Sequence, residues 1–420
     1  MRHLLFLATR SAWNRRLTLG LTLVSVALSV TLLLGVARVR QEARDSFAQS
    51  VSGTDLVVGA RTSPVQLMLY AVFRIGEATN NIRWQSYQAL ASHPEVAWTI
   101  PLSLGDSHHG FPVLGTSSAY FEHFRYGSSQ GLALAAGKPF ADVFDAVLGS
   151  EVSEHLGYHL GDHITLTHGM GGEGLAEHAD KPFTVVGILA PTGTPVDRTV
   201  HISLEAMEAI HLDWQSGAPI PGFSIPAEYV RKFDLTPKEI TAMLVGLKSR
   251  GAVFKMQRYI NDYAPEALLG VLPGVALDQL WEVVGIAERT LLAVSAMVVV
   301  VGLTGLTAVI LASLGERRRE LAILRSVGAK PSDVFLLLTA EGLCVTVLGA
   351  LIGVILLTLL TALLAPFAQS HFGLVIQPEW ISVEEFMLLL SVVGVGLCAS
   401  LVPGYRAYKL SLADGLTPRL

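Results

Sequence analysis

The sequence predicts an α-helical membrane protein, with four transmembrane helices and a large mixed α/β extracytoplasmic domain of two subdomains. Three observations lead there. Of 420 residues, 51% are hydrophobic and only 15% charged, with mean hydropathy +0.49, whereas soluble domains average about 25% charged residues. The apolar excess is concentrated in four runs near the ~20 residues that cross about 30 Å of hydrocarbon. Between the first and second runs, residues 38–289 have ordinary soluble composition. A chain this apolar is not disordered. Its net charge of −5, from 30 basic and 35 acidic residues, lacks the basic footprint of a nucleic-acid binder.

The elements follow in chain order. Residues 1–16 form a basic cytoplasmic segment, read as amphipathic. The first span, 17–37, is uncharged and bounded by Arg15 and Arg16 before it and Arg38 and Arg40 after it. Its apolar core exceeds the usual 7–15 residues of a signal peptide and no small-x-small cleavage site follows, so it reads as a retained anchor. The extracytoplasmic domain occupies 38–289, the second span 290–314, and a cytoplasmic loop 315–333. The third span, 334–364, holds one charge, Glu341. A short outer loop at 365–385 precedes the fourth span, 386–402, which Pro403 and Gly404 close before a cytoplasmic tail at 403–420. Basic residues set the orientation. The N-terminal segment, the 315–333 loop and the tail are rich in Lys and Arg, whereas 365–385 has none and carries Glu379, Glu384 and Glu385. Both termini therefore face the cytoplasm, and the −9 charge of 38–289 faces out while the remainder carries +4.

Within the outer domain, 55–58 and 183–189 read as strands, 146–160 as a strand and then a short helix, and 204–210 and 237–247 as helices. The apolar run 65–75 (VQLMLYAVFRI) is too short to span. It reads as a core or membrane-resting helix, with an apolar surface for a lipid or acyl chain as the sharper alternative. Both cysteines, Cys344 and Cys398, fall in spans, so the outer fold rests on its own core and not on disulfides.

Most chemical motifs fail. Residues 131–138 (GLALAAGK) invite a phosphate-loop reading, but five residues separate the glycines and Pro139 follows the lysine. No Ser-His-Asp or paired-carboxylate arrangement is readable, so no catalytic residue is expected. Eleven of 13 histidines lie in the outer domain. His155, His159 and His163 recur every four residues, and His168 and His178 flank a glycine-rich stretch with Glu173, Glu177 and Asp180. Helical i, i+4 histidines can chelate zinc, but Gly157 and Gly161 interrupt that helix and HExxH is absent. These five are surface histidines by default and weak metal candidates otherwise. Gly349 and Gly353 form a small-xxx-small pair suited to close packing in the third span.

The loop 315–333 reads GERRRELAILRSVGAKPSD: charge, then Leu321, Ala322, Ile323 and Leu324, then a Gly328/Pro331 bend. It predicts a short amphipathic helix at the inner membrane face, able to meet lipid headgroups or a partner's groove. The run 316–329 (ERRRELAILRSVGA), followed by Glu341-Gly342 and Gly349/Gly353, resembles FtsX-type permeases, which include the MacB and LolC/LolE ABC transporter families. The ending PGYRAYKLSLADGLTPRL resembles that family's C-terminal end. Thr54-Asp55-Leu56, Ala136-Gly137-Lys138-Pro139-Phe140, Val147-Leu148-Gly149-Ser150 and 183–188 (FTVVGI) resemble its MacB-like periplasmic core. The resemblance covers most of the chain and is most specific at 316–329.

What the resemblance implies is a permease subunit in the cell inner membrane. It would dimerise with an identical or related permease and bind two copies of a cytoplasmic ABC ATPase. ATP and Mg would be held by that partner, leaving no enzyme activity and no cofactor in this chain. Glu316, Arg317, Arg318, Arg319, Glu320, Leu321, Leu324, Arg325 and Gly328 would form the ATPase-coupling contact. The motion would pass by mechanotransmission to the outer domain, to move or release a periplasmic or membrane-extracted substrate. MacB carries its ATPase fused at the N-terminus; with 16 residues before the first span, the LolC/LolE arrangement of a separate ATPase is expected here. Membrane lipids and a periplasmic adaptor or lipoprotein are further candidate partners, and no nucleic acid is expected. Two alternatives remain open: an FtsX-like regulator that activates a periplasmic partner, and metal- or metallophore-linked transport.

Overall fold

The computed structural model describes residues 16–169, 178–215, 218–220, 225–326, 328–372 and 381–409. Residues 1–15 of the N-terminal segment, the centre of the 365–385 loop and the tail beyond 409 lie outside the described residues. The chain divides into two compact units. The first comprises Met1–Glu42, Gly285–Pro366 and Ile376–Leu420; the second comprises Ala43–Val284 and Phe367–Val375.

Four helices are long and apolar enough to cross a membrane: Arg16–Gln49, Pro273–Glu316, Pro331–Phe372 and Val383–Lys409. They run beyond the apolar stretches of the sequence, because a polar residue does not end a helix unless it also breaks the backbone. The third packs on the first through its small residues. A Cβ on Gly349 would stand 2.7 Å from Val26 Cγ1, and one on Gly353 would stand 2.8 Å from the Ala27 carbonyl. The third meets the fourth through glycine–hydroxyl pairs, with Gly342 against Ser400, Gly396 against Thr346 and Gly404 against Thr339. Val30, Leu34, Leu303, Leu306, Ile310 and Leu338 fill the space between helices. Arg38 grips Glu385 in a two-pronged pair at 2.8 and 2.9 Å. Ser382 and Glu385 exchange side-chain to backbone hydrogen bonds at 3.1 Å, the reciprocal cap that starts the fourth helix.

Pro403 does not close the fourth helix as expected; the helix runs through it to Lys409. Proline removes one backbone donor and leaves the carbonyl four residues back, Ala399, without its helical partner. The Thr307 hydroxyl of the second helix lies 3.4 Å from that oxygen.

The second unit is built on one mixed sheet. Its strands are β1 Leu56–Ala60, β2 Val96–His108, β3 Phe111–Thr116, β4 Leu134–Gly137, β5 Asp145–Leu148, β6 His163–Ile164, β7 Thr167–His168, β8 Phe183–Leu189, β9 Val200–Ser203, β10 Ala242–Leu247 and β11 Leu268–Val271. Their order is β11-β1-β10-β2-β3-β9-β5-β8-β4, with β7 on β2 and β6 on β8. Two pairings are parallel, β9 with β3 and β8 with β5; the helix Ser150–Leu156 lies in the β5–β8 crossover. The chain leaves the β1/β2/β10/β11 half after β2 and re-enters it at β10. The two halves nevertheless share a sheet, because β2 and β3 pair directly at Leu102↔Thr116 and Leu104↔Leu114. Successive side chains feed opposite faces: Leu56 and Val58 join Met243, Val245 and Ile260, while Val57 joins Ile100, Leu102 and Leu244.

The segment 237–247 is not a helix. Glu239–Ile240 and β10 are strands, and β10 is buried between β1 and β2. A short run of Ala, Met, Leu and Val fits either state by pattern alone. Gly246 marks the strand, because a Cβ there would enter the Trp98 indole across the pair. The 65–75 run is core. Ser63 caps the helix Pro64–Ala71 by accepting from the Gln66 amide, and Leu67, Met68, Tyr70 and Phe73 are buried. Of the two glycines of 131–138, Gly137 at φ +77 ends β4 beside the Val186 carbonyl, and Gly131 pairs with Arg125 in a separate two-stranded ribbon.

Candidate functional site

The second helix ends at Glu316, Arg317 makes a turn, and the helix Arg318–Ser326 follows. Gly328, at φ +105, turns the chain in a region that disfavours side chains. Lys330 donates its amide to Asp333 Oδ2 at 2.9 Å as the third long helix begins. Arg318, Arg319 and Glu320 form the first turn of the loop helix. Its buried face is Leu321 and Ala322, packed into the apolar core of the first unit. Leu324 and Arg325 are half-buried, and Ile323 is 53% exposed.

This separates the residues expected to meet a partner. Arg317 is 4% exposed, and its Nη1 lies 2.7 Å from Glu341 Oε2 on the third long helix. Arg317 and Leu321 therefore face their own chain and are corrected to supports of the loop helix. Ile323 was missed, although a helical repeat that buries 321 and 322 and half-buries 325 turns 323 outward. Its apolar character hid it, since it reads as part of the LAIL core run.

The five candidate histidines separate too. His155, His159 and His163 are exposed and apart: His155 lies against Phe111, His159 beside Asp162, and His163 within 3.3 Å of the Thr184 hydroxyl. Gly157, at φ +71, ends the helix Ser150–Leu156 before His159. His168 and His178 do come together, with Asp106 and His211, which the sequence did not point to. One ligand atom from each of the four lies within 4.8 Å of all the others. His178 is fully buried, so the surface reading fails for it.

Backbone geometry builds this cluster. The β2–β3 register shifts between Leu104 and Ser107, and past that bulge β2 pairs with β7, setting His168 opposite Asp106. Bulges re-aim side chains in this way. His178 is held by its amide to the Leu166 carbonyl at 2.8 Å. His211 ends the helix Leu204–His211, its Nδ1 donating to the Met207 carbonyl at 2.8 Å, which turns Nε2 inward. Asp106 Oδ1 lies 3.0 Å from His168 Nδ1, 3.6 Å from His211 Nε2 and 3.9 Å from His178 Nε2. Trp214 packs against all three imidazole rings. Burial opposes the charge of Asp106, but the imidazoles around it outweigh burial and hold its carboxyl below the usual range. Burial opposes the charge of His211 as well; Asp106 overcomes that and raises its pKa. Beside the cluster is a cavity of about 240 Å³ whose lining includes Asp106, His168, Tyr70, Arg74 and Glu77.

Comparison with known proteins comes from both halves of the chain. The family model for the MacB-like periplasmic core domain matches residues 19–251, and that for the FtsX-like permease C-terminal matches residues 292–412. A macrolide export ATP-binding/permease protein MacB of Azoarcus sp. is 22% identical, over 80% of this chain and 48% of its own length. A probable export ATP-binding/permease protein of Pseudomonas fluorescens is 21% identical, over 97% of this chain and 60% of its own. The chain thus spans about half to three-fifths of the length of these relatives. The periplasmic region of MacB from Actinobacillus actinomycetemcomitans is a structural neighbour at 11% identity and TM-score 0.33, covering 55% of this chain and 94% of its own. The extracellular domain of the Gram-positive transporter YknZ is another, at 13% identity and TM-score 0.30, covering 52% and 99%.

Proposed function

The chain belongs to the MacB-like periplasmic core domain family of ABC transporter permeases, and we propose that it works by mechanotransmission. In this reading a cytoplasmic ABC ATPase, two copies to a permease dimer, binds the loop helix Arg318–Ser326. ATP and Mg reside in that partner, and this chain carries no catalytic group of its own. Closure of the ATPase pair displaces the loop helices, and the long helices carry the motion to the extracytoplasmic domain, which moves or releases a substrate there. The protein sits in the inner membrane with both termini in the cytoplasm.

One observation carries the reading: the loop helix is anchored on one side and open on the other. Arg317 clamps it to Glu341 and Leu321 beds it in the core, while Ile323 stands free. A half-buried charge pair with low exposure, 5% and 16% for its side chains, resists separation more than a solvated one. A pull on the loop is therefore passed to the third long helix and not lost in local bending. The contact residues in this reading are Glu316, Arg318, Arg319, Glu320, Ile323, Leu324, Arg325 and Gly328.

The test is co-purification of the co-expressed ATPase with the full chain in detergent. Ile323→Asp should lower ATPase recovery at least about tenfold, the cost of placing charge in an apolar contact, with the melting temperature of the permease unchanged. Undiminished recovery would remove the loop helix from the coupling role.

A further inference from the structure

We propose that Asp106, His168, His178 and His211 form a binding site for one divalent transition-metal ion, Zn²⁺ by the chemistry of its ligands, in the extracytoplasmic domain. The first support is convergence. Three imidazole nitrogens gather on one carboxylate oxygen at 3.0, 3.6 and 3.9 Å, and His168 Nδ1 lies 3.1 Å from His211 Nε2. A tetrahedral ion with bonds of 2.0–2.2 Å holds its ligands about 3.3 Å apart, so small side-chain rotations close this cage.

The second support is what the protein leaves unmade. Among the described residues, both ring nitrogens of His178 and Asp106 Oδ2 are buried and have no hydrogen-bond partner. Side chains of His178 and Asp106 are both 0% exposed. Buried polar atoms in folded proteins are ordinarily paired, and three orphans in one cluster mark a missing ligand. An ion accepts a lone pair from His178 and shares the Asp106 carboxylate.

The third support is the surrounding shell. The His211 Nδ1–Met207 bond fixes the tautomer that offers Nε2, which is how metal-binding imidazoles are oriented. Trp214 excludes water on one side, while His168 and His211, with side chains 36% and 27% exposed, leave a way in on another. Three imidazoles and one carboxylate select against Ca²⁺ and Mg²⁺, which take six or more oxygen ligands, and favour Zn²⁺. The bound ion ties β2 and β7 to His178 and to the end of the helix Leu204–His211. It stands independently of the ATPase reading; failure of one leaves the other untouched.

The experiment uses the full chain in detergent, stripped with a chelator and dialysed against micromolar ZnCl₂, with bound metal counted by mass spectrometry. One ion per chain is expected, together with a rise in melting temperature, since an ion that binds only the folded state stabilises it. Substituting Co²⁺ should give the intense visible bands of a tetrahedral site, a readout that needs no variant. His178→Gln and His211→Gln should each weaken zinc binding at least about tenfold, while the exposed His155→Gln and His159→Gln retain it. A wild-type chain that holds no zinc and shows no tetrahedral Co²⁺ bands overturns the site. So does a His178→Gln/His211→Gln double variant that holds as much zinc as wild type.

Discussion

Arg317 and His201 show how much a single side chain's surroundings decide. By composition Arg317 is one of three adjacent arginines, yet it is buried on Glu341, and no local pattern separates it from Arg318 or Arg319. His201 is likewise one histidine among thirteen. It is fully buried against Tyr120, with Nδ1 3.2 Å from the Val147 carbonyl. Burial, with Arg74 nearby adding to it, lowers its pKa from 6.5 to about 3. The folded-state value lies below that of the unfolded chain, so its contribution to stability is present above about pH 6.5. It is lost as pH falls toward about 3, at up to roughly 1.4 kcal/mol per pH unit. Melting of the full chain across that range should therefore show an acid-side decline that is shallower in His201→Gln. An equal slope in the variant would assign the decline to other groups.

At the scale of elements, local pattern and packing agree unevenly. Phe183–Leu189 and Leu204–His211 are legible because their burial alternates at the period of a strand and of a helix respectively. Residues 237–247 are not, since β10 is buried on both faces and shows no alternation. The small-xxx-small pair in the third long helix was readable as a packing device, but its partner was not, and the structure places the first helix against it. Overpacking a close contact costs about 1–3 kcal/mol. Gly353→Leu should therefore lower the melting temperature of the chain in detergent. Gly394→Ala, in the fourth helix with no atom within 4 Å of an added Cβ, should leave it unchanged. Equal melting of Gly353→Leu and wild type would mean that the first and third helices are not held together there.

For the whole molecule, membrane protein with a large extracytoplasmic domain is the description that composition, helices and family agree on. The two cysteines, Cys344 and Cys398, are free and lie in membrane helices, so the extracytoplasmic unit draws its stability from the sheet and its apolar clusters. Thermal unfolding of the full chain should be the same with and without a thiol reductant. A drop of several degrees under reduction would show a disulfide between chains.

The sequence by itself determined the four spans and the amphipathic loop, because each depends on residues within about 20 positions of one another. Hydrophobic length and charge flanks are sums over neighbours, and they survive whatever the rest of the chain does. Tertiary structure decided which arginine of the loop turns inward, which strand 242–247 becomes, and which histidines meet. Asp106 stands 62 residues from His168 and His168 stands 43 from His211. Their meeting depends on a β-bulge, a strand register and a helix end, each set by long-range pairing. No spacing rule along the chain encodes such a meeting, since the distances that matter run across the sheet.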